Sequence, residues 1–155
     1  MGYADSDHQR SSHSTTCIVL CLFGQPAQWR SKRQTVLATS STEAEIMAMN
    51  MGALNRKWVK TLAMGHFGIH ASCTVLYSDN QSAITICKDS QSSDRTRHIC
   101  GKYLKVQDLI KKEVLTLQWV PTTSMLAYAL TMQLPKPAFK RFRSDIGIIK
   151  MNTEG

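Results

Sequence analysis

The sequence predicts an α/β domain built on a mixed β-sheet with helices packed on its faces. Two apolar and β-branched segments, 15–23 and 28–37, flank a Gly-Gln-Pro turn, which is typical of an antiparallel hairpin. Further along the chain, strand-like and helix-like segments alternate, and a strand–helix–strand crossover requires parallel pairing. A sheet that contains both kinds of pairing is mixed.

The other elements are predicted from apolar periodicity and turn residues. The first strand is very short, at 1–4, and a polar loop at 6–14 separates it from the hairpin. After the central helix come a strand at 74–77, a helix at 79–87, a helix at 98–113, a strand at 115–120, a short helix at 125–130 and a basic terminal helix at 137–146.

The strongest helix signal lies between the hairpin and the strand at 74–77. Thr42 is a good N-cap and Glu45 follows three residues later, as in a capping box. Gly65 and Gly68 mark the end of this helix. Five apolar residues at helical spacing predict its buried face: Met47, Met51, Leu54, Trp58 and Leu62.

Composition indicates one folded domain with a basic surface. The chain has 155 residues, of which 43% are hydrophobic, and we expect a single domain at 1–150 with a short tail at 151–155. The net charge of +8 favours a polyanionic partner, although a basic surface can also serve solubility alone. The clustered residues expected to bind nucleic acid are Arg30, Lys32, Arg33, Arg95, Arg97 and Lys102. For the last three, a solvated helix face fits the sequence equally well.

Other features of the sequence indicate no membrane, disulfide or zinc site. The five cysteines match no zinc spacing and are expected to be free, mostly buried thiols. No apolar segment approaches the length of a membrane span. The polar N-terminal segment does not resemble a signal peptide, so a cytoplasmic or nuclear location is expected.

Three short acidic strings at ascending positions give the main indication of function. They are YADSD at 3–7, SSTEAE at 40–45 and YSDNQS at 77–82. Asp5 and Asp79 each follow a predicted strand, and Glu45 lies in the first turn of the central helix, so the three carboxylates can meet. Carboxylate oxygens are preferred ligands of Mg²⁺. Two such ions about 4 Å apart can activate water and stabilise the leaving oxygen in phosphodiester cleavage.

Each of these carboxylates also has a purely structural interpretation. Glu45 could complete a capping box with Thr42, and Asp79 could be only the N-cap of the next helix. Asp5 could be an ordinary turn aspartate, and Asp7 competes with it for the same role. The three strings together favour the metal site over these alternatives.

Six strings along nearly the whole chain carry a family resemblance. They are GYADSD at 2–7, QWRSKRQ at 28–34, LATSSTEAE at 37–45, YSDNQSA at 77–83, RTRHI at 95–99 and WVPT at 119–122. In this order they resemble the ribonuclease H domain of Ty1/copia-type LTR retrotransposon polyproteins, as a fragment or as a derivative recruited by a host.

The resemblance implies a fold, a reaction and a site. The fold is ribonuclease H-like, with a five-stranded mixed sheet flanked by helices. Asp5, Glu45 and Asp79 fall on three catalytic carboxylate positions that hold Mg²⁺ or Mn²⁺. The implied reaction is cleavage of RNA in RNA–DNA hybrids, and the implied partners are such hybrids or duplex RNA, recognised through the wide minor groove and the 2′-hydroxyls.

One position departs from the family pattern in a way that matters for catalysis. Members of the family carry an aspartate after the tryptophan strand, in L-A-D-I-F-T-K-P-L-P, whereas residues 126–135 here read LAYALTMQLP, with Tyr128 in its place. By resemblance, that aspartate helps hold the ion that positions the attacking water. A neutral phenol is a poor Mg²⁺ ligand, so we expect the activity to be weak or lost. The alternatives are a non-catalytic nucleic-acid-binding module or a protein-interaction module recruited from a retroelement.

Overall fold

The computed structural model of the chain describes residues 1–8, 12–70, 73–89 and 100–148, and gives only the backbone of 100–103. Within these ranges the main elements are β1 (Gly2–Asp7), β2 (Thr15–Leu22), β3 (Gln25–Arg33), α1 (Ser41–Phe67), β4 (Thr74–Ser78), α2 (Gln81–Lys88), α3 (Cys100–Lys111), β5 (Leu115–Trp119) and α4 (Lys136–Asp145). Two short 3₁₀ helices, Thr122–Ser124 and Leu126–Leu130, lie between β5 and α4.

The strands form one five-stranded mixed sheet in the order β3-β2-β1-β4-β5. β2 pairs antiparallel with β3, as expected for the hairpin, and also antiparallel with β1. β4 pairs parallel with both β1 and β5, as the crossovers require. The predicted mixed sheet is therefore confirmed, although β1 extends to Asp7 instead of ending at 4, which places Asp5 inside a strand.

The N-terminus of α1 lies earlier in the chain than predicted, with the N-cap at residue 40 instead of Thr42. Ser40 is its N-cap, and the Ser40 hydroxyl accepts a hydrogen bond from the amide of Glu43 at 3.1 Å. The Glu43 carboxylate accepts bonds from the amide and the hydroxyl of Thr39, both at 2.7 Å. This cap resembles a capping box shifted by two residues. The interpretation of Thr42 and Glu45 as the cap is therefore wrong.

The buried face of α1 also differs from the predicted stripe. Leu54 and Trp58 are 44% and 52% exposed, whereas Ala48 and Gly52 are buried against the sheet. A Cβ at Gly52 would lie 3.0 Å from Leu76 Cδ1, which is closer than ordinary van der Waals contact. Small residues therefore let α1 approach the sheet closely at this point, and Leu54 and Trp58 are left on its exposed flank.

α2 is capped by Asn80 and not by Asp79. The Asn80 side chain accepts a hydrogen bond from the amide of Ala83 at 2.9 Å. The interpretation of Asp79 as a helix cap is therefore wrong, and its carboxylate is available to another site. α1 ends as predicted at Gly68, which has a left-handed φ of 64° that favours glycine.

The cysteines of the described residues are free, as predicted, but they are not all buried. Cys17, Cys21 and Cys87 are free and buried, whereas Cys73 is free and exposed. Trp29, Trp58 and Trp119 are 67%, 52% and 49% exposed. Among the helices described, none is long and apolar enough to cross a membrane.

Candidate metal centre

Asp5, Glu45 and Asp79 come together near the C-terminal ends of the neighbouring interior strands β1 and β4. Each offers a carboxylate oxygen, and these oxygens all lie within 4.8 Å of one another. The two aspartates meet because Tyr3 pairs with Tyr77 in the parallel β1–β4 ladder, and each aspartate follows two residues later. Glu45 reaches the same point from the first turns of α1. Asp5 and Glu45 are each only 5% exposed, and Asp79 is half-buried.

Asp7, the alternative to Asp5, is used elsewhere. Its carboxylate accepts a hydrogen bond from the amide of Thr15, where β2 begins. Asp7 therefore holds the end of the β1–β2 hairpin, and the cluster of three carboxylates contains Asp5 instead.

Glu45 is held by one oxygen and leaves the other without a partner. The amide and the hydroxyl of Ser6 both donate hydrogen bonds to Glu45 Oε1 at 3.0 Å. Glu45 Oε2 is buried and has no hydrogen-bond partner in the described part of the chain. Buried acceptors are normally satisfied, because an unpaired one costs about 1–3 kcal/mol. Glu45 Oε2 is therefore free to coordinate a cation, which would satisfy it in place of a hydrogen-bond donor.

The two aspartates are oriented by threonines that follow β5. The hydroxyl of Thr131 donates to Asp5 Oδ2 at 2.9 Å, and the hydroxyl of Thr122 donates to Asp79 Oδ2 at 2.7 Å. The indole of Trp119 donates to the backbone carbonyl of Asp79 at 3.0 Å. Thr122 and Ser6 lie inside two of the motif strings, but no pattern in the sequence marks either as a partner of a carboxylate, and no local pattern marks Thr131.

The cluster is electrostatically strained without a cation. Burial, opposed by a hydrogen bond from Thr131 and reinforced by the charge of Asp79, raises the pKa of Asp5 to about 6. Burial, followed by the charge of Asp5, raises the pKa of Glu45 to about 8. The ion pairs in the described ranges, Lys112–Asp108 and Arg141–Asp145, do not involve these carboxylates. Three oxygen ligands and an unneutralised negative cluster fit a hard divalent cation such as Mg²⁺ or Mn²⁺.

These pKa shifts predict that the metal-free protein loses stability as the pH rises. The pKa of Asp5 rises from 3.8 to about 6 on folding, and that of Glu45 rises from 4.5 to about 8. The folded state therefore binds more protons than the unfolded state between about pH 4 and pH 8, so unfolding becomes easier across that range. We expect a loss of roughly 2 kcal/mol or more between pH 5 and pH 8, measured by urea unfolding in EDTA. The Glu45→Gln variant should show a flatter pH dependence, and an identical dependence in both proteins would contradict the assignment.

Tyr128 is the residue predicted to stand in place of a fourth carboxylate, and this stays a prediction. It lies half-buried in the 3₁₀ helix Leu126–Leu130, and its carbonyl accepts a hydrogen bond from the amide of Thr131 at 3.1 Å. Its side chain packs against a buried cluster on the sheet face opposite α1. The members of that cluster are Cys17, Val19, Cys21, Met125 and Ala127. The observed role of Tyr128 is therefore that of an aromatic packing residue.

The predicted nucleic-acid-binding residues can be examined in part. Arg30, Lys32 and Arg33 are exposed on β3 and line one cleft with α1. Arg95 and Arg97 lie outside the described residues, as does the side chain of Lys102. Binding by all six residues stays a prediction.

The chain is similar in sequence to Pol polyproteins of plant transposons. No family model matches the chain. A retrovirus-related Pol polyprotein from transposon TNT 1-94 of Nicotiana tabacum is 30% identical over 150 residues, which is 95% of this chain and 11% of the relative. The corresponding polyprotein from transposon RE2 of Arabidopsis thaliana is 31% identical over 153 residues, 96% of this chain and 10% of the relative. The chain thus spans about a tenth of the length of these curated relatives.

Solved structures with a similar fold are ribonucleases H and a reverse transcriptase. RNase H1 from Halobacterium salinarum aligns with a TM-score of 0.59 at 13% identity, covering 84% of this chain and 91% of that one. LC11-RNase H1, crystallised in complex with an RNA/DNA hybrid, gives 0.55 at 14% identity, covering 80% and 86%. A foamy viral protease-reverse transcriptase gives 0.57 at 13% identity, covering 88% of this chain and 19% of that one.

The sheet topology and these alignments define a protein of the ribonuclease H-like fold. The sequence relatives indicate the kind of protein that this chain resembles. Three of them are transposon Pol polyproteins, and each matches nearly the whole chain. Over nearly its whole length the chain is similar to a segment of transposon Pol polyproteins, which confirms the predicted resemblance to the Ty1/copia type.

Proposed function

We propose that this domain hydrolyses the RNA strand of RNA–DNA hybrids in a reaction that needs Mg²⁺ or Mn²⁺, and that it does so slowly. The observation that carries the proposal is the convergence of Asp5, Glu45 and Asp79 within 4.8 Å, with Glu45 Oε2 left unpartnered. The likeness to an RNase H1 crystallised with an RNA/DNA hybrid supports the choice of substrate.

The three carboxylates would hold the metal, which supplies Lewis-acid stabilisation of the phosphodiester and an activated water. The surrounding residues fix the ligands: Ser6 orients Glu45, Thr131 orients Asp5 and Thr122 orients Asp79. Such supporting hydrogen bonds hold carboxylates in a productive geometry and commonly matter 10–100-fold. Basic side chains would bind the phosphates and position the strand, while the 2′-hydroxyls would distinguish RNA from DNA.

The proposed low rate follows from Tyr128. A carboxylate at this position would add an oxygen ligand to the site, and the phenol adds none at neutral pH. The ring instead stabilises the 3₁₀ segment through its apolar contacts. A tyrosine in place of the aspartate would thus remove one metal ligand and add apolar contacts with the buried cluster.

Tyr128→Asp should therefore increase cleavage and decrease stability. We expect metal-dependent cleavage of an end-labelled RNA–DNA hybrid to rise about 10–100-fold, the range found when groups that support a metal site are changed. The variant should also be destabilised by about 1–2 kcal/mol, because the apolar contacts of the ring are lost. Tyr128→Asn is the matched control, since it loses the same packing without gaining a carboxylate. Absence of cleavage by both the native chain and Tyr128→Asp, in either metal, would contradict the proposal.

A second candidate function is binding of hybrid or duplex RNA without cleavage. The exposed cations of β3 favour it, because they do not depend on the carboxylates. Its signature is salt-dependent binding with no product in the cleavage assay. A protein-interaction role would be favoured if the domain had no affinity for nucleic acid even at low salt.

A further inference from the structure

β3 is an edge strand whose outer side has free backbone groups. It lies at one end of the sheet order, and no strand among the described residues pairs with its outer side. In an antiparallel pair, hydrogen bonds between the two backbones occur at every second residue. The amide of Gln34, just after β3, donates to the carbonyl of Ser14 at 2.7 Å, so the even-numbered residues of this part of β3 bond to β2. The N–H and C=O groups of Trp29, Ser31 and Arg33 therefore point away from the sheet.

An apolar hollow borders this edge on the face of the sheet opposite α1. Its volume is about 470 Å³. Trp29 lines the hollow from β3, and Phe142 and Ile146 line it from the C-terminal end of α4. Trp29 is largely exposed, so part of this apolar surface is open to solvent. The hollow can therefore receive apolar side chains from a strand that is added at the edge of β3.

The charged residues of β3 are all positive. Arg30, Lys32 and Arg33 are exposed, and they take no part in the ion pairs found in the described ranges. Because side chains alternate between the two faces of a strand, Arg30 and Lys32 lie on the face opposite to that of Trp29, and both line the cleft beside α1. The edge of β3 therefore has one cationic face and one apolar face.

These charges determine which strand can pair with β3. Cations on an edge strand normally discourage the addition of another strand. A second copy of the chain that paired through its own β3 would bring Arg30 and Lys32 next to the same cations of the other copy, and like charges on adjacent strands are destabilising. A segment with carboxylates at these places instead gains pairs of opposite charge. Charge complementarity therefore selects an acidic segment over a second copy.

We propose that the edge of β3 binds an acidic, extended segment of a partner protein as an additional strand of the sheet. The main chain of the segment pairs with the free backbone groups of Trp29, Ser31 and Arg33. Its carboxylates lie beside Arg30 and Lys32, and its alternate, apolar side chains enter the hollow beside Trp29. The expected pattern in the partner is thus an alternation of acidic and apolar residues. This interaction is additional to the proposed function, since β2 separates β3 from β1 and its carboxylate.

The test is fluorescence anisotropy with the full chain in EDTA, using a labelled peptide in which glutamate and valine alternate. We expect saturable binding that weakens as the salt concentration rises, because the peptide is acidic and β3 is cationic. The matched control is a peptide of the same composition with all its glutamates before all its valines. It should bind at least about fivefold more weakly, since it cannot place carboxylates on one face and apolar side chains on the other.

Methylation of the peptide backbone tests the main-chain pairing directly. One alternating peptide is N-methylated at its valines and another at its glutamates, so each lacks the donors of one edge. A strand pairs with β3 through one of its edges, because successive N–H groups point to opposite sides. One methylated peptide should therefore lose binding and the other should keep it, and equal effects of the two would contradict strand addition.

Ser31→Pro removes an outward N–H group from β3 and should weaken binding of the alternating peptide at least about fivefold. Proline is tolerated on an edge strand where the N–H faces solvent, so the domain should stay folded, which thermal unfolding checks. Ser31→Ala is the matched control, because it loses the same hydroxyl contacts with Cys17 and Leu130 but keeps the N–H. It should bind the peptide as the native chain does.

A reversal of charge tests the cationic face. Lys32→Glu should weaken binding of the alternating peptide several-fold, because it places like charges side by side. Lys57→Glu is the matched control, since Lys57 is an exposed cation on α1 that does not line the cleft beside β3. It should bind the peptide with nearly the native affinity.

Three further outcomes would overturn the inference. Native-like binding of the alternating peptide by Ser31→Pro would show that the edge of β3 is not used. Equal binding of the alternating peptide and its rearranged control would show that only net charge is recognised. Binding of an RNA–DNA hybrid at low salt without binding of either peptide would assign the cations of β3 to nucleic acid. If Ser31→Pro does not fold, the methylated peptides decide the question with the native chain.

Discussion

Asp79→Asn should abolish metal-dependent cleavage of the hybrid while leaving the domain folded. Asp79 supplies one of three converging carboxylates, and an amide neither balances the charge of a divalent cation nor binds it comparably. We expect a loss of at least about 100-fold, the upper end of what loss of a supporting group costs a metal site. Asp79 is half-buried and its backbone is held by Trp119, so the substitution should alter the unfolding midpoint little.

The matched control for this prediction is Asp108→Asn. Asp108 is exposed on α3 and pairs with Lys112 one turn later, an interaction worth a few tenths of a kcal/mol. Its variant should cleave at the native rate. Cleavage by Asp79→Asn at the native rate would show that the activity does not arise from these carboxylates.

Glu45→Gln should stabilise the metal-free protein, although Glu45 is buried and hydrogen-bonded. Its pKa of about 8, raised by burial and by the charge of Asp5, shows that the carboxylate is unfavourable where it lies. Glutamine keeps the oxygen that accepts from Ser6 and replaces the unpartnered Oε2 with a donor. We expect the free energy of unfolding in EDTA at pH 8 to rise by about 2 kcal/mol.

Glu43→Gln provides a control with the opposite sign. Glu43 lies two residues earlier in α1 and is 4% exposed, but its carboxylate accepts two hydrogen bonds from Thr39 at the N-terminus of the helix. Removing its charge should cost about 1 kcal/mol, because a negative charge stabilises that end of a helix. Destabilisation of both variants by similar amounts would mean that Glu45 is an ordinary structural glutamate.

The sequence alone could predict the three carboxylates that come together, but not which glutamate caps the helix. Ser40 to Glu43 and Thr42 to Glu45 both fit the capping-box spacing, so local pattern leaves the cap ambiguous. Contact with Ser6, 39 residues away, decides the matter by drawing Glu45 to the end of β1. The motif strings compare positions in several elements at once, and the structure does bring Glu45 beside Asp5 and Asp79, while its role as a ligand stays a prediction.

The buried face of α1 and the supporting residues required the tertiary structure. Leu54 and Trp58 fit helical spacing as well as the buried residues do, and only the close approach at Gly52 shows which face meets the sheet. Thr131 reaches Asp5 across 126 residues, so no sequence window contains both. The motif register predicts that Tyr128 replaces an aspartate, whereas its packing against the buried cluster is seen only in the structure.

The most direct test of the metal site is the effect of Mn²⁺ and Mg²⁺ on thermal unfolding of the native chain and of Asp79→Asn at pH 8. A cation that binds only the folded state raises the unfolding midpoint by mass action. We predict a midpoint that rises with metal concentration in the native chain and a much smaller rise in Asp79→Asn. A native midpoint that is unchanged at millimolar concentrations of either metal, or that rises equally in both proteins, would contradict a metal centre formed by Asp5, Glu45 and Asp79.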